Sequence, residues 1–132
     1  MVHNDDLSRF LAKLMGPTLL AMSAAILMNR HAMQQIAAQV ANDYAVIFLS
    51  GILLLVAGLA IVHAHNIWSG WPALVTALGW LAIIGGLIRM FLFQHASEIA
   101  NKFVAAPATI FVAASVMLTL GAFLTTKAYR LL

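Results

Sequence analysis

Four stretches of the chain are almost wholly apolar, at about 10–28, 44–62, 71–93 and 104–126, and polar positions gather between them. Each is close to the roughly 20 residues that carry an α-helix across a ~30 Å hydrocarbon core at about 1.5 Å per residue. None alternates polar with apolar residues as a barrel strand would. Backbone in lipid must satisfy its own hydrogen bonds, so the four stretches are expected to be transmembrane helices.

Local chemistry supports the boundaries. Asn4, Asp5 or Asp6 is placed to cap the first helix and Asp43 the second, by accepting from free amides of the first turn. Pro72 and Pro107 fall near the starts of the third and fourth spans, where a missing N–H costs nothing. Pro17 lies inside the first helix beside Gly16 and is expected to kink it. A basic flank ahead of an apolar run also fits a signal peptide. Asp5 and Asp6 dilute that flank, however, and Met28-Asn29-Arg30 is a poor cleavage site, so a retained helix is expected.

The connections carry patterns of their own. In 29–43, Met33, Ile36, Ala37 and Val40 recur at helical spacing with Arg30, Gln34, Gln35 and Gln39 on other faces. In 94–106, Ala96, Ile99, Ala100 and Phe103 do the same against Glu98, Asn101 and Lys102. Both predict short amphipathic helices lying on the membrane surface. The shorter connection 63–70 is flanked by Trp68 and Trp71, a tryptophan pair that marks the headgroup level.

A shift of 63 residues aligns the two halves, bringing Ile36 onto Ile99, Phe48 onto Phe111, Gly58 onto Gly121 and Gly16 onto Gly79. Each span also holds two small residues seven apart: Gly16 and Ser23, Gly51 and Gly58, Gly79 and Gly86, Ala114 and Gly121. Seven residues is almost two turns, so each pair shares one face, where helix backbones can approach closely in lipid. The expected fold is an all-α four-transmembrane-helix bundle with two surface helices, built as a two-fold helix–surface helix–helix repeat. It forms one membrane domain over 1–132, with halves of about 1–66 and 67–132 related by an axis along the membrane normal.

Composition excludes several classes. Of 132 residues, 64% are apolar and 8% charged, whereas a soluble domain carries about a quarter charged residues and a disordered chain is poor in apolar ones. With no cysteine there is no disulfide, thiolate metal site or cysteine nucleophile. The seven basic and four acidic residues are too dispersed for a nucleic-acid surface, and Lys127 and Arg130 favour anionic lipid instead. Arg9, Lys13, Lys127 and Arg130 on the side of the termini outnumber Arg30, Lys102 and Arg89 on the other, which places both termini in the cytoplasm.

Candidate chemistry is thin. No Asp or Glu falls inside a span, so the usual carboxylate of an ion-coupled carrier or small multidrug exporter is missing. Arg89 lies near the end of the third span and is read as reaching lipid headgroups, or lining an ion path. His63 and His65, with His3 on the same side, are weak metal candidates, since residues two apart on a helix do not face one another and a closed site needs four ligands. His31 and His95 each begin a surface helix across the membrane. Trp80, too deep for an interfacial anchor, is expected to fill a groove between helices beside Gly79. The seven methionines are scattered and read as apolar filler. No catalytic triad, phosphate-binding glycine loop or paired carboxylate is present in the sequence.

Within 44–90, the residues His65-Asn66-Ile67-Trp68, Trp71, Thr76, Gly79-Trp80 and Gly86 form an HNxW…W…T…GW…G pattern. It resembles that of small uncharacterised bacterial inner-membrane proteins of four helices. The resemblance implies a bacterial inner-membrane location and brings no activity. The sequence therefore points to a non-enzymatic membrane protein without cofactors, acting as a scaffold, accessory subunit or homo-oligomer among membrane lipids. Two alternatives stand beside it: an oligomeric channel or uniporter lined by Thr76, Ser115, Thr119 and Arg89, and haem or copper binding through His63 and His65.

Overall fold

The computed structural model describes residues 4–129. Among them are six α-helices and no strand: α1 (Asn4–Met28), α2 (Arg30–Ala41), α3 (Tyr44–Ala64), α4 (Pro72–Phe91), α5 (Phe93–Ala105) and α6 (Pro107–Ala128). Four are long and apolar enough to cross a bilayer, over Asp6–Met28, Tyr44–Ala64, Pro72–Phe91 and Ala108–Ala128.

Asp43 caps α3, its Oδ1 accepting from the amides of Ala45 at 3.1 Å and Val46 at 3.2 Å. This satisfies donors that the first turn leaves free. Pro72 and Pro107 open α4 and α6. The fourth span begins later than the apolar pattern predicts, because Val104 belongs to α5 and the chain breaks at Ala106. A residue before proline is pushed out of the helical region, and Ala106 is extended at φ −105° and ψ 103°. Upstream, α1 begins six residues before its apolar stretch, at Asn4. Asp6 lies within that helix, and the capping side chains of Asn4 and Asp5 fall outside what is described.

The helices group into two compact units. One comprises the described residues of Met1–Gln35 and Phe103–Leu132, the other Ile36–Lys102, so the boundaries fall inside α2 and α5 rather than between sequence halves. In the first unit α1 packs on α6, and in the second α3 packs on α4. The pairs are antiparallel. Gly58 lies against Gly79 and Ile83, while Gly51 lies against Gly86 and Arg89; likewise Gly121 lies against Gly16 and Leu20.

These approaches are backbone to backbone. A Cβ added at Gly58 would come within 2.7 Å of both the Gly79 carbonyl oxygen and the Ile83 nitrogen. One added at Gly121 would lie 2.8 Å from the Leu20 nitrogen and 3.0 Å from the Gly16 carbonyl oxygen. Apolar burial drives little association between helices in lipid, so close packing of this kind supplies the attraction. Ser23 and Ala114 are fully buried in the α1·α6 pair, and the Ser23 hydroxyl donates back to the Leu20 carbonyl at 2.9 Å.

Large apolar side chains face outward, among them Leu53 and Val56 on α3, Leu81 on α4 and Val116 on α6. Trp80 belongs with them. It is 41% exposed and does not fill the interhelical groove expected for it. Adjacent helical residues are about 100° apart, so a ring next to the buried Gly79 leaves the packing face.

The two short helices are joined by polar contacts. In one unit the Gln34 amide donates to the Val104 carbonyl at 3.5 Å. In the other the Ser97 hydroxyl donates to the Ala41 carbonyl, and Asn42 and Asn101 exchange amide hydrogen bonds at 3.2 and 3.1 Å. Ile36, Val40, Ile99 and Phe103 remain exposed.

Candidate functional site

The most organised polar cluster is the turn between α3 and α4. His65 ends α3 in an extended conformation and is 2% exposed. Its Nδ1 lies 2.9 Å from the Thr76 hydroxyl, which is fully buried one turn into α4. That hydroxyl also accepts from the Ile67 amide at 3.0 Å. Further along, the Trp68 indole N–H donates to the Asn66 side chain at 2.9 Å, and Gly70 takes the left-handed region at φ 70°. Residues of the HNxW…T pattern are thus bonded to one another, and their arrangement fixes how the chain leaves α3 and enters α4. Burial of the His65 ring lowers its pKa below 6.5, partly opposed by a backbone hydrogen bond.

The other histidines are placed differently. His63 is exposed on α3, with Nδ1 2.8 Å from the Leu59 carbonyl one turn back. His63 and His65 are therefore engaged with separate partners. His31 and His95 are exposed, and His3 lies outside the described residues. Among the described residues no three His, Cys, Asp or Glu side chains gather as a metal site would require.

Arg89, two residues before the end of α4, crosses to α3 and donates from Nη1 to the Ser50 hydroxyl at 3.1 Å. The remaining hydroxyls named for a channel stay on their own helix: Ser115 donates to the Phe111 carbonyl and Thr119 to the Ser115 carbonyl, each at 2.9 Å. These two line a shallow apolar groove on α6 with Phe111, Val112, Val116 and Leu120.

Sequence reading overlooked a feature at one end of the α1·α6 pair. A cavity of about 470 Å³ is lined there by Asp6, Arg9, Phe10, Lys13, Ala128 and Tyr129. The only signal for it was the four-residue spacing of Arg9 and Lys13, which puts both cations on one helical face.

No protein-family model, curated protein or solved structure matches the chain.

Proposed function

We propose that this is a small non-enzymatic protein of the bacterial inner membrane, acting through helix packing as a scaffold, accessory subunit or homo-oligomer. The observation that carries this reading is where the polar side chains are spent. His65 and Thr76 brace a turn, Arg89 ties α4 to Ser50 on α3, and Ser115 and Thr119 bond their own backbone. Groups used in this way join neighbouring elements or satisfy their own helix instead of converging on a substrate or an ion path. Gentle extraction from the native membrane is expected to yield the chain with a stoichiometric membrane partner or as a defined multimer, identified by native mass spectrometry. Conduction of ions or solutes by the reconstituted protein in a liposome flux assay would instead establish the oligomeric channel reading.

The architecture we infer is the 63-residue repeat, with α1–α2–α3 as one copy and α4–α5–α6 as the other. Corresponding contacts support it. Under the shift, Gly58 with Gly79 and Ile83 becomes Gly121 with Gly16 and Leu20, and the backbone approaches match within a few tenths of an ångström. Likewise the bond from Ser97 to Ala41 becomes the bond from Gln34 to Val104. Each compact pair then takes one spanning helix from each copy. The short helices α2 and α5 lie along the membrane surface, with Ile36, Val40, Ile99 and Phe103 turned to lipid.

Four spans put both termini on one side, and the basic residues favour the cytoplasm. Reporter fusions at the two ends are expected to give the same, cytoplasmic sidedness. Opposite sidedness would overturn the four-span topology, and two external ends would overturn the orientation.

A further inference from the structure

We propose that the cavity at the end of the α1·α6 pair binds the phosphate group of a membrane phospholipid. Among the described residues, the Nε and Nη1 atoms of Arg9 are buried without a hydrogen-bond partner. A guanidinium with two of its nitrogens withdrawn from water and unpaired is costly, and an anion restores what they have lost. Its planar fork of N–H donors matches the geometry of phosphate oxygens.

The surroundings fit that ligand. Lys13 lies one turn beyond Arg9 on the same face, with Nζ 5.5 Å from the centroid of the Tyr129 ring. Asp6 also lines the cavity, so its charged lining is two cations and one carboxylate. The net positive charge complements a phosphodiester monoanion. Arg9 and Lys13 stand about 5–10 Å along α1 from Asp6, where the candidate span begins, and long basic side chains so near a helix end reach back to the headgroups. Phe10 lines the same cavity and is 56% exposed, offering an apolar surface to an acyl chain. Depth and apolar wall together favour a lipid over a free anion. Among the described residues the site has no counterpart under the 63-residue shift, because the position corresponding to Lys13 is Thr76, which is buried under the α3–α4 turn.

The test is native mass spectrometry of the full chain in neutral detergent with phosphatidylglycerol added. One lipid is expected to be retained per chain. Arg9→Gln should weaken retention at least about tenfold, as loss of a charge-assisted bond does, and Lys13→Gln about fivefold. Lys102→Gln should leave it unchanged, since Lys102 is exposed on α5 and does not line the cavity. Should Arg9→Gln fail to fold, the exposed Lys13 decides the matter, because its substitution disturbs no buried contact. Retention unaltered by Lys13→Gln overturns the site. Displacement of the lipid by millimolar inorganic phosphate overturns the lipid as its occupant.

Discussion

Replacing Gly58 with leucine is expected to separate α3 from α4 and lower the stability of the detergent-solubilised protein by about 3 kcal/mol, the upper end of overpacking effects. The obstacle is main chain on both sides. The first atom of the new side chain would meet the Gly79 carbonyl oxygen and Ile83 nitrogen at 2.7 Å, and neither can rotate aside. Gly121→Leu should cost a similar amount, because the Leu20 nitrogen and Gly16 carbonyl oxygen stand in the same places. Ala57→Leu, on the exposed side of α3, should be tolerated. Thermal unfolding of the three variants measures this. Comparable losses at the two glycines support the repeat, whereas intolerance at one and indifference at the other counts against it.

Thr76→Val is expected to be nearly as damaging, at about 1–3 kcal/mol, because it keeps the shape and removes the shared hydroxyl. The Ile67 amide would lose its acceptor, and His65 Nδ1 would lose its bond to Thr76. The same cluster makes stability depend on pH. With its pKa lowered by burial, His65 stays neutral in the folded chain at pH values where the unfolded chain already binds a proton. Its contribution is fully present above the ordinary value of 6.5 and is lost as pH falls from there through the lower folded value. Unfolding temperatures at about pH 7.5 and about pH 5 should differ in the native chain. His65→Asn should remove this part of the difference, and an unchanged difference would exclude His65 as its source.

The features legible in the sequence were those with a helical period. Glycines seven apart named the faces of α3 and α4 that meet, because two turns return a residue to the same side. Pairing of α1 with α6 was not legible, since periodicity gives a face but not the helix that covers it. The turn cluster was hidden for a related reason. His65 and Thr76 are separated by an extended connection with no fixed period, and the pattern that joins them revealed its bonds only once the turn was placed. Ser50 became the partner of Arg89 only when the glycine contacts had set the antiparallel register. The misplacement of Trp80 came from treating a neighbour in sequence as a neighbour on the helix surface.

The pairing of α1 with α6 has a consequence in time. Gly58 and Gly79 are about twenty residues apart in the chain, whereas Gly16 and Gly121 are separated by about a hundred. At synthesis rates of about 5–20 residues per second, α3 and α4 can zip together within about 1–4 s of each other's emergence, while α1 waits about 5–20 s for its partner. During biogenesis α1 thus emerges before the other five described helices yet is matched last, and its Gly16–Leu20 surface faces lipid, or other nascent helices, throughout that delay.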